Sequence, residues 1–247
     1  MLAAKDIHIK IADEPVLTGA SVTVNRGELI GMIGYSGGGK TVLARCIVGL
    51  EKFDAGTVEV DGVVIGPQLG PDDPSWVPVR IKVGLVAQNR ALPPYRTVID
   101  LIAEGPRFVL GLTRHDAHSR SISWLERLGL ERHTHKYPHE LSGGQLARVC
   151  LARALVMEPS YLICDEVTAQ LDPLMAAEVA TSLLDVVKLG VGVLLISHQI
   201  EFLRRYASRV EFLDHGHIVA SGFATDMLDA PTNERVRAFL QGIALGR

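Results

Sequence analysis

Apolar and polar positions change period several times along this chain, and each change marks an element. Ile7, Ile9 and Ile11 alternate with His8 and Lys10, the two-residue period of a half-buried strand. Residues 21–24 alternate again, and Asn25-Arg26-Gly27-Glu28 is a turn. Leu29-Ile30-Gly31-Met32-Ile33 is a continuous apolar run, as expected of a strand covered on both faces. A helix is expected over 41–50, ending near Gly49. Val58 and Val60 flank Glu59 before Asp61-Gly62, which predicts a hairpin. Residues 66–80 hold four prolines and two glycines and are expected to form a surface loop. A strand is predicted over 83–88. Residues 97–158 follow a helical period, broken at Gly105-Pro106, Gly111, Gly129 and Tyr137-Pro138. Strand, helix, strand and helix follow at 160–165, 173–188, 191–196 and 199–207. A last hairpin turns at 214–217, and an amphipathic helix is expected over 234–240.

Strands alternating with helices, and hairpins near both ends, predict an α/β fold: a mostly parallel sheet core with an antiparallel β flank. The helical stretch interrupts two core strands, so it is expected to be an inserted helical subdomain. The division is a core over 1–88 and 160–222, the insert over 89–159 and a short tail over 223–247, all in one domain of 247 residues.

Composition narrows the chemistry. A net charge of −3 gives no sign of a nucleic-acid-binding face. The three cysteines, Cys46, Cys150 and Cys164, lack metal-ligand spacing and are expected to be buried free thiols. No apolar stretch approaches the roughly 20 residues of a spanning helix. The N-terminus lacks a signal-peptide core. The chain is therefore expected to start in the cytosol, and a partner must hold it at any membrane it serves.

Gly34-Tyr35-Ser36-Gly37-Gly38-Gly39-Lys40-Thr41 matches a phosphate-binding loop between a buried strand and a helix, the context that loop requires. Its glycines let backbone N–H groups turn inward around phosphate oxygens at a helix start. Lys40 adds a point charge for the β- and γ-phosphates, and the Thr41 hydroxyl can ligate Mg²⁺. The apolar strand before Asp165-Glu166 ends in two carboxylates beside that loop. Asp165 is expected to hold Mg²⁺ and Glu166 to polarise the attacking water. Leu141-Ser142-Gly143-Gly144-Gln145 precedes a helix expected over 145–157, with Ser142 as N-cap. This is a second anion-binding helix start. One ATP on one chain does not need both, whereas two chains arranged head-to-tail would use each.

With these residues in view, the chain resembles the ATP-binding subunits of ABC transporters. Residues 141–145 look like that family's signature, Gln88 like its Q-loop glutamine, Leu171-Asp172 like its D-loop and Ser197-His198 like its H-loop. The resemblance implies that Gln88 touches Mg²⁺ and the attacking water, and that His198 contacts the γ-phosphate and orients Glu166. It implies that Asp172 supports the partner chain, and that Ser142, Gly144 and Gln145, beside Gly143, reach the γ-phosphate held by that partner. The cofactors implied are ATP and Mg²⁺. The partners implied are a second copy of the chain, integral-membrane permease subunits and a periplasmic solute-binding protein, at the cytoplasmic face of the cell membrane.

Glu104-Gly105-Pro106, Val109-Leu110-Gly111, Tyr137-Pro138 and the tail around Thr232-Asn233-Glu234-Arg235 and Phe239-Leu240 look most like the subfamily that imports polar amino acids. The tail also resembles ATPases of bacterial lipid-trafficking systems. A soluble ATPase of DNA repair or translation would be expected to add a coiled coil, zinc modules or a second cassette. A regulatory cassette with weak hydrolysis is the other alternative, against which Lys40, Asp165, Glu166 and His198 stand intact. Three departures from the family pattern bear on the site. Ile11 stands where an adenine-stacking aromatic is usual, Val167 follows the catalytic glutamate where proline is usual, and Ala87 precedes Gln88 in place of an aromatic. Tyr35 is a bulky residue at a variable loop position.

Overall fold

A computed structural model describes residues 1–89, 92–169 and 171–245. Residues 90, 91, 246 and 247, which the sequence pattern assigns to the start of the insert and the end of the tail, lie outside the described residues. The strands and helices in chain order are β1 (Leu2–Ile11), β2 (Glu14–Val24), β3 (Leu29–Ile33), α1 (Lys40–Ile47), β4 (Ala55–Val60), β5 (Val63–Ile65), α2 (Val77–Lys82) and β6 (Val83–Val86). Then come α3 (Val98–Phe108), α4 (Arg114–Arg127), α5 (Gly143–Leu155), β7 (Tyr161–Asp165), α6 (Pro173–Lys188), β8 (Gly192–Ile196) and α7 (Ile200–Tyr206). β9 (Arg209–Asp214), β10 (His217–Phe223), α8 (Ala224–Asp229) and α9 (Glu234–Leu245) complete the order.

Two sheets result. The antiparallel flank has the order β2-β1-β4-β5, and the core sheet has the order β10-β9-β3-β8-β7-β6. Within the core sheet β9, β3, β8, β7 and β6 run parallel, and β10 pairs antiparallel with β9. The run 29–33 divides its side chains between two hydrophobic clusters. Leu29 and Ile33 join one, while Ile30 and Met32 join the other. That two-sided burial explains why the segment is apolar without alternation. The register sets the level of the strand ends: Met32 and Asp165 both lie opposite Ile196, and Val86 lies opposite Cys164. The residues that follow these four strands therefore leave one edge of the sheet together, the edge where ligands bind in such sheets.

Several sequence expectations shift. Residues 66–80 are not simply a surface loop. Trp76 and Val79 are fully buried, and Arg80 donates to the carbonyls of Val48, Gly49 and Pro71. Two of the four prolines that suggest a loop here, Pro74 and Pro78, occupy helix starts, where a missing N–H costs nothing, and Pro67 and Pro71 lie in turns. α3 continues through Gly105-Pro106 to Phe108: Pro106 has no N–H to give to the Ile102 carbonyl, yet the helix goes on, and Val109 N–H still reaches the Gly105 carbonyl at 2.9 Å. β6 ends at Val86, two residues before Gln88. α5 begins at Gly143, two residues before the expected start, because Ser142 caps it. α9 runs five residues beyond the expected end. Cys46 and Cys164 are buried as expected, whereas Cys150 is only half-buried.

Candidate functional site

The phosphate loop connects β3 to α1. Gly34 has φ 153°, and a Cβ there would lie 2.1 Å from the Leu213 carbonyl oxygen, so the chain can pass only as glycine. Gly39 precedes α1 in the left-handed region at φ 99°, which turns the loop into the helix. Lys40 is 6% exposed. Its Nζ donates to the carbonyls of Gly34 at 2.9 Å and Tyr35 at 2.8 Å. Burial lowers the Lys40 pKa, and the nearby charges of Glu166 and Asp165 oppose that shift. The ammonium thus lies inside the loop, facing two carboxylates.

Those carboxylates close β7. Asp165 is 3% exposed. Burial raises its pKa, and Glu166 adds to the rise. The Thr41 hydroxyl donates to it and, with Lys40 and His198, works the other way. Asp165 Oδ1 has no hydrogen-bond partner among the described residues. A buried carboxylate oxygen without a donor, beside a hydroxyl, fits the ligand set of a hard divalent cation such as Mg²⁺.

Glu166 adopts φ 50°, a left-handed conformation unusual for a side chain of its size. Its N–H donates to the Ile196 carbonyl at 2.9 Å, which ties this backbone to β8. Both carboxylate oxygens are engaged. Gln88 Nε2 donates to Oε2 at 3.1 Å, and His198 Nε2 lies 3.1 Å from Oε1. These residues come from loops after β6, β7 and β8, and they meet beside the loop after β3. Sequence reasoning missed the strained backbone at Glu166, because no local pattern encodes it. It also missed the link between Gln199 Nε2 and the Thr168 carbonyl at 3.2 Å, which joins the loops after β7 and β8.

Residues 142–145 sit elsewhere, against the start of α6. A Cβ on Gly143 would approach Leu171 at 3.2 Å, and one on Gly144 would approach Met175 at 3.1 Å. Ser142 and Gln145 form a reciprocal cap. Ser142 Oγ accepts from Gln145 N–H at 3.3 Å, and Gln145 Oε1 accepts from Ser142 N–H at 3.0 Å. A serine hydroxyl that accepts in this way still has its own proton to donate outward. Asp172 caps α6 by accepting from Met175 N–H at 2.9 Å. Asp172 and residues 142–145 thus form a second cluster, set by two adjacent helix starts.

Ile11 lies 43% exposed at the β1–β2 corner, paired with Glu14. Tyr35 is more tightly held than a variable loop position suggests: its ring meets Phe239 edge-on at 5.1 Å and Phe212 at 6.3 Å.

The family described as ABC transporter matches residues 17–169. The L-cystine import ATP-binding protein TcyN of Bacillus subtilis (strain 168) is 35% identical, covering 99% of this chain and 94% of that protein. The nopaline permease ATP-binding protein P of Agrobacterium fabrum is 34% identical, covering 98% of this chain and 97% of that protein. The amino-acid ABC transporter ATP-binding protein YhdZ of Escherichia coli (strain K12) is 36% identical, covering 98% and 95%. Among solved structures, a dimeric post-hydrolysis state of the ATP-binding cassette MJ0796 bound to ADP and Pi has a TM-score of 0.80 at 27% identity, covering 91% of this chain and 99% of that one. An ATP-binding subunit of an ABC transporter has the same TM-score at 24% identity over 98% of this chain, a likeness of fold.

Proposed function

Since the chain belongs to the ABC transporter ATP-binding family, we propose that it is the ATP-hydrolysing subunit of a bacterial importer of polar amino acids, working as a head-to-tail dimer on a separate permease. The observation that carries the proposal is the grip of Gln88 and His198 on opposite oxygens of Glu166, next to a loop whose lysine is already turned inward. A carboxylate so fixed, on strained backbone, is suited to take a proton from one defined water.

In this mechanism the N–H groups of residues 36–41 cradle the phosphates, and Lys40 exchanges its loop carbonyls for the β- and γ-phosphate oxygens. Mg²⁺ would be held by Thr41 and Asp165, with Gln88 beside them, and would supply charge neutralisation at the phosphates. Glu166 orients the attacking water and accepts its proton. His198 keeps Glu166 aimed and reaches the γ-phosphate. The outward proton of Ser142, the Gly144 N–H and the side-chain amide of Gln145, beside Gly143, close over the γ-phosphate of the second chain, and Asp172 lies beside them across the shared face. Two sites then work together because neither is complete in one chain.

Transport coupling would run through the helical insert, residues 89–159. A groove beside Gln88 combines apolar Leu50, Leu85 and Leu92 with Asn89, Cys150 and Arg153. It joins the core sheet to α5 and is suited to an amphipathic helical segment of the permease. No described helix is long and apolar enough to cross a membrane, so the permease would hold the chain at the cytoplasmic face. Import of a small polar solute is supported by the cystine, nopaline and amino-acid designations of the relatives, and a periplasmic binding protein would deliver that solute. Affinity purification of the tagged chain from membranes tests the proposal. A multi-span permease should co-purify, and solute with its binding protein should stimulate ATP hydrolysis. Recovery without any membrane protein would contradict it.

A further inference from the structure

The three-ring cluster around Tyr35 joins parts of the chain that the proposed chemistry treats as separate. Tyr35 belongs to the phosphate loop, Phe212 to β9 and Phe239 to α9. Tyr35 and Phe239 meet edge-on, with centroids 5.1 Å apart and planes at 84°. Phe212 and Phe239 lie 5.2 Å apart. Edge-to-face contacts of this kind are favoured by the ring quadrupole and fix relative orientation.

α9 is well anchored where it makes this contact. Phe239 and Val236 are buried. Arg235 donates to Asp214, at the end of β9, at 3.1 Å. Asn233 Oδ1 accepts from Arg235 N–H at 2.9 Å, and Asn233 Nδ2 donates to the Val219 carbonyl on β10 at 3.2 Å. The helix is therefore tied to the β9–β10 hairpin, and its Arg235 and Ala238 line the same cleft as Tyr35, Ser36, Gly37 and Gly38.

On its other side Tyr35 faces the chemistry. Its carbonyl accepts from Lys40 Nζ at 2.8 Å and from Gly38 N–H at 3.1 Å. One residue thus bears on the tail helix with its ring and on the loop lysine with its backbone. We propose that α9 is a positioning element of the nucleotide site, in which Phe239, acting through the Tyr35 ring, fixes the first half of the phosphate loop and with it the Lys40 ammonium. The adenine side makes this support more consequential, since the exposed Ile11 offers the base an aliphatic contact and leaves binding to depend on the phosphates.

The inference rests on the loop being the triphosphate site, and the experiment separates the two. Binding of a fluorescent ATP analogue and steady-state hydrolysis are measured on the full chain. Lys40→Ala tests the site itself and should abolish analogue binding. Phe239→Ala and Tyr35→Ala should each raise the ATP KM and the analogue Kd about 2–10-fold, the range an aromatic pair supplies, with a smaller change in kcat. Phe239→Tyr, which keeps a ring, should restore KM, and the double variant should be no worse than either single one. Leu228→Ala, a buried change in α8, should lower Tm and leave KM alone. An unchanged Kd in Tyr35→Ala overturns the proposal, as do multiplicative effects in the double variant. Should Phe239→Ala fail to fold, Tyr35→Ala decides, because that side chain is half exposed and its loss leaves the core intact.

Discussion

His198 Nε2 stands 3.1 Å from Glu166 Oε1, and it does so across two parallel strands whose ends the sheet register brings level. Gln88 takes the other oxygen at the same distance. The carboxylate is thereby held at both ends, with its backbone locked by φ 50°. Removing either partner should leave Glu166 present but badly aimed. His198→Ala and Gln88→Ala are expected to lower kcat about 10²-fold, the usual consequence of a misplaced reacting group, with KM for ATP changed less. A phosphate-release assay over a range of ATP concentrations separates the two parameters.

Ile11 gives the second prediction. An aliphatic side chain at the β1–β2 corner cannot reproduce the stacking of a ring on adenine. An aromatic contact contributes about 0.5–1.5 kcal/mol beyond area burial, which corresponds to about 2–10-fold in affinity. Ile11→Tyr should tighten ATP binding by that factor and widen the preference for ATP over GTP. A titration showing micromolar or tighter ATP binding that Ile11→Tyr leaves unimproved would count against this account.

Asp61 supplies a prediction about pH. Burial alone would raise its pKa. Hydrogen bonds from the Met1 amino group, Tyr161 Oη and Arg26 together outweigh burial and hold it well below the usual carboxylate range. A carboxylate depressed on folding adds stability above its unfolded pKa, about 3.9, and loses that contribution as the pH falls toward the folded value. Asp61→Asn should therefore lower Tm by about 3–6 °C at pH 7, given the usual strength of charged hydrogen bonds in a chain of this size. The gap should narrow steadily below about pH 4. A gap that stays constant from pH 7 to pH 3 would show that the charge is not what matters.

Much of the molecule was legible in the sequence because its signals are local. The apolar run 29–33, the glycines of the phosphate loop and the doublet Asp165-Glu166 each announce an element or its end within a few residues. Ser142 was legible as a cap for the same reason. What escaped depends on contacts between distant segments. Trp76 sits among prolines that suggest a loop, yet it packs so closely on Gly49 that a Cβ there would lie 2.2 Å from its ring. The Tyr35–Phe239 contact spans about two hundred residues of sequence, and nothing near either ring predicts the other. Pro106 misleads in the same way: it suggests a break, yet α3 runs past it to Phe108 with the loss of one N–H donor. The end of α9 lacked a stop signal that periodicity could find.

The central claim, that this site is finished by a second copy of the chain, is tested most directly with Glu166→Gln. Loss of a general base costs about 10²–10⁴-fold in rate, so the variant should bind ATP without consuming it. Size-exclusion chromatography with light scattering, in excess ATP and Mg²⁺, should then show a dimer of two 247-residue chains. Adding Ser142→Arg, which blocks the second cluster, should return it to monomer. A Glu166→Gln protein that binds ATP yet elutes only as a monomer would contradict the head-to-tail arrangement.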